Sequence, residues 1–276
     1  MLLPLITAAL VAQSLSVSVA VAPRAEQFHY RFDNPSSFNT AELVPHFFEQ
    51  RYDTVPLWFS ADARYRLGDS TGATSAAVSL RRRTHGSDID TFLQPSGDVA
   101  TSGTDGDVTL GSWEVTQRLG IARARGWDFG ATVRYRRDRA EFLPDDRIVT
   151  HTQPASITRT FITDRETTVS QTIAFGLDAE RVRAVNDRWQ MAIGAGVQPM
   201  VRGWLLIQLP DKYPGQDLNF SSLSAGADVH WTIERTGARW HGGLTMRGAG
   251  VWGYQKSSAY SLRSVSVAVF AGPRRR

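Results

Sequence analysis

From about Glu26 onward the chain alternates apolar and polar residues with period two, in successive segments of about 9 to 16 residues. That period belongs to strands with two unlike faces, and the length is what a tilted strand needs to cross a bilayer. In residues 55–67 one face carries Leu57, Phe59, Ala61, Ala63 and Tyr65, and the other Ser60, Asp62, Arg64 and Arg66. In residues 127–137, Trp127, Phe129, Ala131, Val133 and Tyr135 oppose Asp128, Gly130, Thr132, Arg134 and Arg136. Residues 169–179 and 223–233 repeat the arrangement. An apolar face turned to lipid and a polar face turned inward are the pattern of a transmembrane barrel. They average to a mildly hydrophilic chain, with a mean hydropathy of -0.26. A helical span would need roughly 20 consecutive apolar residues, and the one long apolar run lies at the extreme N-terminus.

Connections alternate between short and long, as they do where strands run up and down through a membrane. The short ones centre on residues 68–72, 125–126, 185–188 and 234–237, and the long ones on 33–53, 84–107, 143–158, 209–218 and, briefly, 253–257. Counting through gives ten strands, with cores near 26–32, 55–67, 75–83, 108–121, 127–142, 162–182, 189–207, 219–233, 239–252 and 259–270. The expected fold is therefore all-β, a transmembrane antiparallel up-and-down β-barrel of about ten strands with short periplasmic turns and long extracellular loops. A soluble β-sandwich or calycin-like barrel would alternate too, with the charged face as its surface. Strand length, sided loops and tryptophan placement together favour the membrane barrel.

Tryptophans in such barrels form girdles at the two interfaces. Trp127, Trp189, Trp231 and Trp240 flank the short turns, whereas Trp58, Trp113, Trp204 and Trp252 lie toward the long loops. Trp58 and Trp204 fall on the inward parity, which implies a bulge or a shifted boundary at those ends. Leu2 to Val11 and the small residues after them read as an export leader. Residues 1–20 are the expected signal peptide, and residues 21–276 a single barrel domain.

A ten-stranded barrel is only slightly wider than the eight-stranded kind whose interior side chains fill, so a wide pore is not expected. The inward faces carry Asp62, Arg64, Arg66, Glu114, Arg118, Asp128, Arg134, Arg136, Asp178, Glu180, Arg202, His230, His241 and Arg247. Charges of mixed sign inside a lumen call for a cross-barrel network of charge-assisted hydrogen bonds, a polar plug. The absence of cysteine excludes disulfides, thiol catalysis and thiolate metal sites, and a net charge of +4 is too small to imply nucleic acid. No phosphate loop, His-Glu-x-x-His motif or nucleophile elbow occurs, and the six histidines are dispersed, so no cofactor or metal is expected.

The one suggestive cluster is His85-Gly86-Ser87-Asp88-Ile89-Asp90 in the second long loop. Two carboxylates two residues apart can share a proton and activate a water, or cap a turn and hold a passing cation. Ten strands, long loops on one side and an Asp-x-Asp in the second outer loop resemble the omptins, outer-membrane endoproteases that cleave at basic residues and depend on lipopolysaccharide. The resemblance maps the family's acidic pair onto Asp88 and Asp90. Its second catalytic element, an Asp-x-His in the fourth outer loop after a Gly-Trp, has Gly203-Trp204 and then Asp211 in the matching place, with no histidine in that loop. Asp228-Val229-His230 has the right letters but sits inside a strand, and His85 is a substitute base from the acidic loop. Arg81, Arg82 and Arg83, with the run from Arg134 to Arg139, are candidates for pairing with lipid A phosphates, or for solubility and the interior network.

The sequence thus points to a monomeric envelope or binding barrel in the bacterial outer membrane. Its partners would be outer-membrane lipid, lipopolysaccharide among it, and an extracellular peptide ligand. An omptin-like endopeptidase with catalytic Asp88, Asp90 and Asp211 is the alternative, and a narrow solute conduit a second one.

Overall fold

Backbone N–H and C=O groups at membrane depth find no water, so a spanning sheet must pair every edge with itself. The computed structural model describes residues 14–33, 44–67, 70–93, 96–161, 165–208, 210, 217–253 and 258–273. Its strands are β1 (Ser14–Asp33), β2 (Val44–Thr54), β3 (Leu57–Leu67), β4 (Ser70–Ser79), β5 (Arg82–Leu93), β6 (Val99–Ala124) and β7 (Trp127–Thr152). They continue with β8 (Ala155–Phe161), β9 (Glu166–Ala184), β10 (Trp189–Gln208), β11 (Asp217–Thr236), β12 (Trp240–Gly253) and β13 (Ser258–Pro273). All pairings are antiparallel, and β1 closes the ring by pairing with β13 on one side and with β2 and β3 on the other.

The ring has ten staves, as the alternation implies, because β2 with β3, β4 with β5 and, along β7, β8 with β9 each form one stave broken in the middle. Pro56, which has no N–H to give a ladder, interrupts the first. Around it, Glu26 pairs with Thr54 and Pro23 with Leu57 on the same β1. Ranges expected to be long loops are largely strand: β2 occupies 44–54, β5 and the start of β6 occupy much of 84–107, and β7 runs on to Thr152, where β8 pairs with it. The expectation failed there because these segments rise above the apolar belt and lack its alternation. The leader boundary at Ala20 falls inside β1, where Ser14–Pro23 pair with Leu57–Arg66. Residues 1–13 lie outside the described residues.

The outward face carries the belt: Val19, Leu119, Leu177, Ile193, Val229, Met246 and Val265 are all exposed, as lipid-facing side chains must be in a protein without its membrane. A bulge in β10 sets which way its later residues point. In β10 the register shifts between Gln198 and Val201, across Pro199. Beyond it Val201, Gly203 and Leu205 turn inward, and Trp204 and Arg202 turn outward. Arg202, expected inside, therefore stacks on the outer side over Trp204 at 5.9 Å. Trp58, by contrast, does sit inside, 3% exposed.

The lumen is filled in two layers. The lower layer is the expected ion-pair network. Buried Arg136 bonds Asp138 at 2.8 Å and Glu26 at 2.7 Å, Arg24 bridges Glu26 and Glu114 at 3.0 Å each, and Arg118 reaches Asp178 at 2.8 Å. Arg24 and Arg136 lie over the Trp58 ring at 4.6 and 5.3 Å. A cavity of about 30 Å³ beside Arg24, Arg134 and Gln198 leaves room for a water or two, not a channel. The upper layer is apolar: Phe28, Tyr30, Phe32, Phe48, Tyr52 and Tyr260 stack with Phe220, Leu205 and Ile207. The plug is therefore polar below and aromatic above.

Replacing Arg136 with Met should lower unfolding stability by about 3–5 kcal/mol, since Glu26 and Asp138 would be left buried without their cation. Val229→Arg, mid-strand on the lipid face, should cost about 2–4 kcal/mol. Reversible denaturant titration in lipid vesicles measures both.

Candidate functional site

Within the outer half of the wall the inward faces of four neighbouring strands align in one row, with Phe48 one inward position nearer the mouth than Gln50 on β2 and Tyr52 one position below it. Gln50 on β2 pairs with Asp88 on β5, Asp88 with Thr104 on β6, and Thr104 with Arg147 on β7. The bulge between β4 and β5 makes this possible. From Val78 opposite Trp113 to Arg82 opposite Leu110, one strand advances four residues and its partner three. The extra residue reverses the parity, so Gly86, Asp88 and Asp90 face the lumen while His85 and Ile89 face out. Asp88 and Asp90 are thus strand residues of the inner wall and not loop residues, and His85, exposed on the opposite face, cannot act with them.

From β9, with β5, β6 and β7 between it and β2 along the wall, Glu166 and Thr168 close on the row. The Gln50 amide donates to Glu166 and also bonds Asp88. Thr168 Oγ1 donates to Gln50 Oε1 at 3.1 Å and lies 3.4 Å from Glu166. Asp88 is 2% exposed, and its Oδ1 has no partner; neither have the Thr104 and Ser102 hydroxyls, which face Asp88 and Asp90 across the β5–β6 pair. Burial first, then the charges of Asp90 and Glu166, holds the Asp88 carboxyl well above the usual range. Burial and Asp90 push Glu166 up to about 8, with Arg147 and the Gln50 bond pulling the other way. Three carboxyls within one field do not all ionise at neutral pH, so the cluster retains a proton there.

A second feature lies at the outer tip of β7. His151 Nδ1 is 2.7 Å from Asp98, which also accepts from the backbone N–H groups of Thr152 and Gln153 at 2.8 Å each. His151, first, and those bonds hold the Asp98 carboxyl far below its ordinary range. Asp98 thereby fixes the end of the β7 hairpin and orients the imidazole. By register His151 stands two strands and two residues from Asp90, roughly 12 Å at ~4.8 Å per strand and ~3.3 Å per residue, too far to share a water.

Asp211 lies outside the described residues. Asp228 belongs to the lower lumen, held by Gln198 at 2.6 Å and by Arg134 and Arg247, and His230 follows it inside β11. Sequence reading missed Gln50, Arg147, Glu166 and Thr168. The alternation of Phe48, Gln50 and Tyr52 was the available signal, inside a segment expected to be a loop.

No protein-family model matches the chain, and no curated protein matches it in sequence. Among solved structures, the outer membrane protease OmpT from Escherichia coli superposes with a TM-score of 0.63 at 8% identity, covering 95% of this chain and 97% of that one. The β domain of the Bordetella autotransporter BrkA (TM-score 0.33, 11% identity, 93% and 98% covered) and Ail of Yersinia pestis (0.29, 9%, 95% and 99%) are too different in shape to bear on this chain. The architecture, with its apolar belt, is that of a bacterial outer-membrane β-barrel, and the omptin resemblance holds for the fold.

A raised carboxyl pKa means the folded state binds the proton more tightly than the unfolded one. The cluster's contribution to stability is therefore fully present below the ordinary carboxylate range and is lost as pH rises toward about 8, by up to about 1.4 kcal/mol per pH unit for each such group. Denaturant midpoints from pH 5 to 9 measure it, and Glu166→Gln should flatten the slope.

Proposed function

We propose that this protein is an outer-membrane barrel whose lumen is structural and whose outer mouth binds cationic, extended ligands, a peptide with basic side chains being the simplest case. The observation that carries the reading is the grouping of Asp88, Asp90 and Glu166 at the mouth with Arg147, above a filled lumen. Such a cluster gains a counter-charge when an ammonium or guanidinium enters. In this reading the barrel is monomeric.

The second reading is an endopeptidase with Asp88 and Asp90 as its acidic pair. The fold likeness to OmpT and the inward aim of both aspartates favour it. It still lacks a histidine within a water's reach among the described residues, and Asp211 would have to supply its partner from outside them.

The outer collar fits lipid phosphate. Arg81, Arg83 and Arg139 are exposed on the outer wall with Trp113 and Leu80 near them, which puts cations at headgroup depth. Arg134 and Arg136 take no part, since both are inside. Any leader would end ahead of Ser14, because β1 needs residues 14–20 to pair with β3.

A fluorogenic dibasic peptide, added to the refolded barrel with lipopolysaccharide present, separates the two main readings. Saturable binding without cleavage is expected, weakened about tenfold in Asp88→Asn/Asp90→Asn. Cleavage that disappears in that variant would replace binding with proteolysis, and no binding at all would overturn the proposal. Arg81→Ser/Arg82→Ser/Arg83→Ser should reduce lipopolysaccharide retention, most visibly at low salt.

A further inference from the structure

The barrel mouth contains a bridge that backbone pairing does not require. β2 and β9 are not ladder neighbours, yet Gln50 on β2 and Glu166 and Thr168 on β9 are hydrogen-bonded to one another across the lumen. The same Gln50 reaches Asp88 on β5, so one amide joins two carboxyls from different walls. We propose that Gln50, Asp88 and Glu166 form a proton-dependent latch that ties opposite walls of the barrel together over the tyrosines of its aromatic plug while the carboxyls hold a proton, and releases when both ionise. The proposal does not rest on the mouth binding any ligand.

The arrangement around the two carboxyls decides how they respond. Facing them are Gln50 from β2, Asp90 from β5, Arg147 from β7, the Thr104 hydroxyl from β6 and Thr168 on β9 itself. A neutral carboxyl offers an O–H and a carbonyl to this set, and each can be matched by the Gln50 amide or a hydroxyl. Two carboxylates offer acceptors only; the two N–H groups of the Gln50 amide can serve both, but the charges repel across a gap from which water is largely excluded, and that repulsion is what opens the bridge. Asp90 adds a third negative charge from the adjacent level, and Arg147 offsets part of the sum. Glu166 sits where the pH response falls near neutrality.

What the latch covers is aromatic. One inward position below Gln50, Tyr52 stacks on Phe28 at 4.9 Å, and Tyr30, level with Gln50, lies 5.3 Å from Tyr260. The void beside them is about 10 Å³. Release would uncover the upper face of this plug to the outside without opening a path through the ion-pair layer beneath it. The mouth would then offer an apolar floor ringed by carboxylates at alkaline pH, and a sealed surface at acid pH.

The chain has no cysteine, so a single introduced thiol reports cleanly. Ala140, 3% exposed and opposite Thr168 in register, lies just below the latch. The rate at which Ala140→Cys reacts with a charged maleimide should be divided by the rate for Ser156→Cys, an exposed position on β8, to cancel the common rise in thiolate with pH. The ratio should rise about tenfold between pH 6 and pH 9, and should stay flat when Glu166→Gln or Asp88→Asn is added, since a carboxamide keeps the bridge neutral. A ratio that is constant with pH in the parental background overturns the latch. So does one that rises equally in both carboxamide variants.

Discussion

A sheet in lipid has to leave no backbone group unpaired, and closure of β1 against β13 is the single constraint from which the rest of this structure follows. It fixes the apolar face outward, which accounts for exposed Val19, Val229 and Val265. It also commits every intervening polar side chain to a lumen a few side chains wide. Once the ring is closed, each charge inside needs a partner from another stave. The Arg136 hub, which ties Asp138 on its own strand to Glu26 on β1, is the clearest result.

The two layers inside the barrel divide that demand. Ion pairs occupy the membrane level, where removing one partner would strand the other, and aromatics occupy the level above, where burial of ring area needs no partner. Function is thereby displaced upward. With the lumen filled, the outer wall, where β2, β5, β6 and β7 extend beyond the belt, carries the remaining acidic cluster. Asp88, Thr104 and Ser102 are buried there without full hydrogen bonding, as are Glu26 and Tyr260 in the plug below.

The ten staves were legible because the belt imposes a strict apolar and polar alternation, as in residues 127–137. Two things were not. Strands above the belt face water or one another, so β2 and β5 lack the apolar face that marks a membrane strand, and Gln50 and Asp88 were read as loop. Parity also fails wherever a bulge intervenes: Pro199 turned Arg202 outward, and the extra residue between β4 and β5 turned Asp88 inward. The acidic pair itself was visible from its spacing. Its real neighbours were not, since Glu166 and Arg147 meet it only through the closed ring.

The claim on which the rest depends is that the ring encloses a solid interior. Single-channel recording in planar bilayers, with protease protection verifying insertion, tests it most directly. The account predicts a quiet membrane at neutral pH, with no steady current above background. Large, long-lived ohmic openings would contradict it, because no such current passes a lumen filled by the Arg136 network and the Phe32, Phe48 and Phe220 stack.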